Sequence, residues 1–333
     1  MITFERIAFD KMDWKVAAQI GGMNIFQTQP WLAFLTERQP LEPVVACIRE
    51  NGELRGFFTG LIAEKFGLRI LGSPFRGWTT YFMGFNLKPG TPRRPVLEAL
   101  PQFVFHGLGC QYLEVIDPLL EQTDACGLHY HIESLPWYAL DLRPPEQSLF
   151  ANMKHACRTN IRKACKNELR IQLACELEFA DEYYAQYVEV MHRHALQPAF
   201  RLETVRLMLK HLLPSGCLLL LRACLPTGES IATGVFLYFG QTAVFWGAAS
   251  RNDYQYLRPN EYLAWQGVKL LKARGVETLH FGGYAGQYKE KFGCQDARIW
   301  RLRLASNTVI GSLIDFAAAP QNERYRNWIL KHL

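Results

Sequence analysis

The chain has 333 residues, 49% of them hydrophobic and 20% charged, which is room for two domains of ordinary size and too apolar a balance for a disordered polymer. A formal charge of +6 suits a partner carrying phosphates, such as a nucleotide, coenzyme A or RNA. Met1 to Asp10 has no cationic end leading into an apolar run, and the most apolar stretch, Cys217 to Cys224, is interrupted by Arg222 and is far shorter than the roughly 20 residues of a membrane span. The expectation is a cytoplasmic protein.

The first half reads as mixed α/β. Gln29 to Glu37 is a short helix with Pro30 at its start, and Pro43 to Arg49 is a strand. Asn51-Gly52 is a hairpin turn, with Leu54 to Lys65 as the return strand. Arg93 to Gly107 is a helix, Tyr112 to Ile116 a buried strand ending in Asp117-Pro118, and Trp137 to Leu142 another strand. Arg143-Pro144-Pro145 then marks a boundary, because consecutive prolines continue neither a helix nor a central strand. This divides the chain into residues 1–145 and 146–333.

The second half opens with a helix from Ser148 to Glu168, followed by a strand from Ile171 to Leu177 and helices at Asp181 to His194 and Leu202 to Leu213. Cys217 to Cys224, Ser230 to Phe239 and Thr242 to Ala248 read as antiparallel strands. Pro259 to Arg274 is a helix with Pro at its first position, cations in its last turns and Gly275 ending it. Val276 to Phe281 is the next strand, Gly282-Gly283 the turn out of it, and Ala297 to Ala305 a late strand. Both halves pass through helix, hairpin strands, helix and strand, an order compatible with a duplicated domain.

Nine cysteines occur without a CxxC pair, the usage of reduced cytosolic thiols. Cys126, His129 and His131 cluster in sequence, but the second half of a zinc site is missing, so no metal is expected. Cys157 and Cys165 are placed on the inner side of their helix.

Three segments carry chemistry. In MKHACRTNIRKACKNELR, Lys154, Arg158, Arg162 and Lys166 are spaced i, i+4, i+8, i+12 and form one positive stripe. An anion would relieve its self-repulsion. In HFGGYAGQYKEKFGC, a strand end is followed by two glycines and then by Tyr284, Tyr288, Lys289, Lys291 and Phe292. Aromatic and cationic groups crowd just past a strand's C-terminal end, a common active-site position in α/β folds. SPFRGWTTYFMGF, which contains Arg76, reads as a cleft loop, and the strand Tyr112 to Ile116 delivers Asp117, whose carboxylate could receive an amine. There is no Walker loop and no Gly-x-Ser-x-Gly elbow.

These segments, in this order, resemble the FemAB-like branch of the GNAT transferases. Lys154, Arg158, Asn160, Ile161, Arg162, Lys163 and Ala164 are similar to its basic-helix motif; Phe281-Gly282-Gly283 through Lys291-Phe292-Gly293 to its closing motif; Glu114 to Pro118 to its strand ending in Asp-Pro. The resemblance implies two tandem GNAT-like domains, each a mixed, mostly antiparallel sheet flanked by helices. It implies an N-acyltransferase, with Lys289 steadying the reacting carbonyl, Tyr288 at the adjacent aromatic position, and the stripe around Arg158 in the region that binds acceptor phosphates. The chemistry adds Asp117 as the candidate that orients the amine, and Lys154, Arg158, Arg162, Arg76, Tyr284 and Arg258 are the candidate substrate-binding residues. Fem proteins take an aminoacyl group from tRNA; other members of the branch use acyl-coenzyme A. Either donor comes as a co-substrate, with no tightly bound cofactor, and the acceptor is a small-molecule or peptide amine. DNA is not an expected partner. Tyr256-Leu257-Arg258-Pro259-Asn260 stands where coenzyme A users carry a glycine-rich pyrophosphate loop; it has no glycine, and Pro259 removes a donor. The sequence also lacks the long helical hairpin of the cell-wall enzymes. A non-catalytic RNA- or nucleotide-binding protein is the reading from another class.

Overall fold

Asn51 and Gly52 both adopt positive φ, 49° and 87°, the two successive left-handed residues that a tight hairpin demands. The computed structural model describes residues 1–65, 67–75, 79–283 and 287–312. Its strands are β1 (Ile2–Ile7), β2 (Glu42–Glu50), β3 (Glu53–Lys65), β4 (Leu68–Ser73), β5 (Gly84–Leu87), β6 (Tyr112–Asp117), β7 (His131–Asp141), β8 (Arg170–Ala174), β9 (Leu218–Cys224), β10 (Ser230–Phe239), β11 (Thr242–Ser250), β12 (Thr278–Gly282) and β13 (Gln295–Ala305). The α-helices are α1 (Trp14–Ile20), α2 (Gln29–Arg38), α3 (Arg93–Pro101), α4 (Gln122–Ala125), α5 (Glu146–Asn152), α6 (His155–Lys166), α7 (Phe179–Arg193), α8 (Leu202–Leu212), α9 (Pro259–Ala273) and α10 (Gln287–Lys291). Among the described residues no helix is long and apolar enough to cross a membrane.

The chain forms two units. The first comprises, among the described residues, Met1–Gly22, Pro40–Ser134 and 299–312. Its sheet runs β1-β2-β3-β4-β6-β13, with β5 paired to β3; β4 and β6 are parallel, while the other pairings are antiparallel. Val44, Ala46, Ile48, Phe58, Leu71, Leu113 and Val115 alternate onto one face and bury against Val96, Leu97 and Leu100 of α3.

The second unit comprises Met23–Gln39 and Leu135–Arg298. Its sheet runs β8-β9-β10-β11-β12-β7; β11 and β12 are parallel, the rest antiparallel. One face carries Leu219, Leu221, Phe236 and Leu279 against α6 and α9. Gly267 lets α9 ride close, since a Cβ there would lie 2.2 Å from the Phe236 ring.

Both sheets place one parallel pair in the same slot and cross it with a helix, α3 or α9. This is the duplication that the order of elements suggested. The last slot is filled by exchange: β13, late in the chain, completes the first sheet, and β7 completes the second. Residues 23–39 belong with the second unit because α2 packs on α8. The units therefore do not follow a single cut at 145.

Other boundaries move for local reasons. The helix expected over Ser148 to Glu168 is two helices, because Met153 and Lys154 are extended (ψ 150° and 145°). Cys157, Ile161 and Ala164 form the buried seam of α6, and Cys165 is exposed rather than inward. The helix expected over Arg93 to Gly107 is α-helical only to Pro101 and continues as a π-helical turn, Gln102–Gly107. β8 ends at Ala174, three residues before the expected Leu177.

Candidate active site

The parallel pair β11/β12 is short. Its register runs from Thr242↔Thr278 to Val244↔His280, and β11 then continues to Ser250 paired with β10. Two irregularities flank the opening. The β10/β11 register slips between Val235 and Phe236, leaving Trp246 as the extra residue of β11; the β12/β7 register slips between His280 and Gly282. Parallel strands parting at their C-terminal ends make a usual ligand crevice, and bulges there re-aim side chains.

Gly282 leaves β12 at φ 82°, a region where a Cβ is strained. At Gly283 a Cβ would meet the Pro136 carbonyl oxygen at 2.7 Å and the Trp137 ring at 3.2 Å. Both positions at the exit from β12 therefore favour glycine. Phe292, fully buried, stacks on Phe281 (5.6 Å) and anchors the far end. Between these fixed points Lys289 projects half-buried from α10, its Nζ 5.5 Å from the centroid of Tyr138, within cation–π range. Tyr138 stands opposite Gly282 in the strand pairing. Burial pulls the Lys289 ammonium down to about 8 from its ordinary 10.5 and pushes the neighbouring Cys294 thiol up to about 12. At neutral pH the lysine is a cation with a transferable proton, and the thiol stays neutral.

The corner between α5 and α6 closes on α10. The Lys154 N–H donates to the Lys291 carbonyl (2.9 Å), and the Lys154 ammonium to the Glu290 carboxylate (2.7 Å). The Arg158 guanidinium donates to the carbonyls of Ala151 (2.7 Å) and Met153, capping α5. Arg162 lies over the Phe150 ring at 5.4 Å and is exposed. The positive stripe is therefore divided: its first half holds the corner, and its second half faces solvent.

The start of α9 is similarly occupied. Arg258 takes a left-handed conformation (φ 61°) with an exposed side chain, and Pro259 follows at the first helical position. Glu261, the third residue of α9, is buried, and its carboxylate accepts from Asn160 Nδ2 (2.9 Å). The helix already carries its own anion at the end that attracts one.

Asp117 lies in the first unit at the end of β6, the slot that β12 fills in the second. It is 1% exposed, accepts from the Phe85 N–H (3.1 Å) and the Leu119 N–H (2.8 Å), and has Arg93 Nε at 3.7 Å. Burial raises its pKa, against the pull of Arg93 and the two N–H groups. The carboxylate braces the end of its strand. Arg76 and Tyr284 lie outside the described residues, as does the side chain of Tyr288.

Three partners in this region escaped sequence reasoning. Tyr138 supplies the ring beneath Lys289, and Glu290 ties Lys154. Trp137 Nε1–H donates to His280 Nδ1 (2.9 Å), which fixes the tautomer of a histidine that burial holds neutral, down at about 4. The pairs Tyr138–Lys289, Lys154–Glu290 and Trp137–His280 are each separated by more than 130 positions, which leaves no local signal.

Residues 151–290 match the model of the acetyltransferase (GNAT) domain. No curated protein sequence matches the chain. Among solved structures, the fold is similar to that of FemX, with a TM-score of 0.74 at 10% identity over 94% of this chain and 99% of that one. It is also similar to a tandem GNAT protein from the clavulanic acid biosynthesis pathway, solved without AcCoA (TM-score 0.52, 12% identity, 92% of this chain and 99% of that one). L-PGS from Bacillus licheniformis gives a TM-score of 0.51 at 10% identity over 78% of this chain and 84% of that one. At such identities the likeness concerns the fold, a tandem pair of GNAT-like domains.

Proposed function

We infer, from a chain whose residues 151–290 form a GNAT domain, that the protein is an N-acyltransferase moving an aminoacyl group from an aminoacyl-tRNA to an amine. The observation that carries this reading is Lys289: a half-buried lysine of α10 with its pKa brought down to about 8, held over Tyr138.

The acceptor nitrogen attacks the ester carbonyl carbon. A C–N bond forms while negative charge grows on the carbonyl oxygen. The C–O bond to the ribose then breaks, and the proton lost by nitrogen ends on the ribose oxygen. A fixed cation about 3 Å from the growing oxyanion stabilises that transition state by several kcal/mol. A group with a pKa near 8 is roughly nine-tenths charged at pH 7 and can also relay the proton. Lys289 has this character. Tyr288 is its neighbour in chain order. Asp117 is engaged in bracing the end of its own strand, accepting from the Phe85 and Leu119 N–H groups, and is given no contact with the amine.

The occupied start of α9 favours the tRNA ester over a thioester of coenzyme A. Pro259 removes one N–H donor from the helix start, and buried Glu261 puts a carboxylate in the first turn, which disfavours a diphosphate there. The test incubates the protein with charged tRNA or with acetyl-coenzyme A and follows donor consumption by mass spectrometry. Consumption of charged tRNA alone is expected. Consumption of the thioester alone overturns the donor, and inertness toward both overturns the enzyme reading in favour of a binding protein.

A further inference from the structure

We propose that the outer face of α6, with the first residue of β8, is a track for the phosphates of an RNA stem whose 3′ end reaches Lys289; the residues are Arg162, Lys163, Lys166 and Arg170. The proposal rests on the donor reading above and adds the surface that holds the body of that donor.

Residues 154–170 contain six Lys and Arg against one acid, Glu168, a net +5 in a chain whose total is +6. Nearly all the excess charge is therefore local. The buried seam of α6, Cys157, Ile161 and Ala164, sends the opposite face outward. That face holds His155, Thr159, Arg162, Lys163 and Lys166, all exposed, with exposed Arg170 beginning β8. Arg162, Lys163, Lys166 and Arg170 form no ion pair among the described residues. Lys154 and Arg158 are already engaged with protein oxygens, so the track excludes them.

The position of the strip identifies its partner. α6 starts at the reactive turn, where the Lys154 N–H binds the Lys291 carbonyl, and runs about 18 Å from there to Lys166 at 1.5 Å per residue. A substrate that reacts at Lys289 and carries repeated negative charge for that distance beyond its reactive end is a nucleic acid strand; a diphosphate is too short. A bilayer is disfavoured, because an interfacial helix sets apolar side chains beside its cations, and the apolar seam of α6 is spent on the core. Phosphate contacts of this kind give affinity that falls steeply with salt.

The test measures binding of uncharged tRNA by fluorescence anisotropy from about 50 to 200 mM salt. Arg162→Ala/Lys163→Ala/Lys166→Ala is compared with Lys11→Ala/Lys15→Ala/Lys88→Ala, which removes as many exposed charges from the first unit. The first variant is expected to lose roughly ten-fold or more in affinity at low salt and to flatten the slope of log affinity against log salt by about 2 to 3. The control should change less than two-fold. Equal losses in both, or no tRNA binding by the unmodified protein, overturn the track. So does retained tRNA binding with selective loss of binding to phosphatidylglycerol vesicles, which makes the face a lipid surface. Thioester turnover with none from charged tRNA overturns the donor reading instead, a result separable from the anisotropy.

Discussion

A lysine whose pKa is brought to about 8 by burial has a chemical signature that can be measured. With the cation as the active form, turnover at saturating acceptor should be level below about pH 8 and fall above it. Lys289→Arg, charged to far higher pH, should keep part of the activity and move that fall upward. A limb unmoved by the substitution belongs to the acceptor amine. Lys289→Ala should lower turnover roughly 100-fold or more, the usual effect of losing one oxyanion donor. Lys291→Ala should cost much less, because Lys291 sits two positions on along α10 and projects from another side; equal losses would mean diffuse electrostatics. His280 offers a finer test. Asn at this position sets an oxygen where Nδ1 accepts from Trp137, whereas Gln reaches past it. His280→Asn should therefore retain most turnover, while His280→Gln and Trp137→Phe lose it together as the turn loosens. If Asn and Gln behave alike, the hydrogen bond does not position the turn. At this scale the glycines and aromatics of the sequence singled out Lys289 as a candidate, whereas Tyr138 and His280 become neighbours only through the pairing of β7 with β12.

The basic segment shows what an element adds to its residues. Read as one helix, 148–168 presents four equivalent cations. The break at Met153 and Lys154 makes them unequal, and neither residue is a helix breaker by type. The break is held from elsewhere in the fold by the Lys291 carbonyl, which takes the Lys154 N–H, and within the segment by Arg158 across the corner. Arg158→Ala should leave the carbonyls of Ala151 and Met153 without their charged donor and destabilise the protein by about 2 kcal/mol, seen as a lower denaturant midpoint with unchanged slope. Lys166→Ala, on the solvent face, should leave the midpoint within about 0.5 kcal/mol. A midpoint unchanged in Arg158→Ala would return this arginine to the substrate-binding stripe.

For the molecule as a whole, the sequence disclosed that two similar halves exist and concealed how they are completed. A strand's pattern states that one face is buried; it does not state which sheet receives it. Hence β7 and β13 read as ordinary closing strands of their own halves, although β7 pairs with β12 and β13 with β6. The proline pair at 144–145 is real local punctuation: Pro145 precedes α5 as its N-cap residue. It marks the start of a helix inside the segment Leu135–Arg298 of the second unit, so it is a poor place to divide the protein. Fragments cut there, 1–145 and 146–333, each lose a strand. The first exposes the edge of β6, including Leu113 and Val115, which are fully buried in the intact chain; it also strands Glu114, whose carboxylate is held at 2.7 Å by both Arg301 Nε and Nη2. A buried charge left without its partner destabilises by several kcal/mol, on the scale of a domain's whole stability. The second fragment loses β7 and opens the edge of β12. Expressed separately, both fragments should aggregate or show little cooperative melting by circular dichroism, since an unpaired central edge invites association. A soluble, cooperatively melting fragment 146–333 would mean that β7 is dispensable to the second sheet, and with it the ring of Tyr138 beneath Lys289.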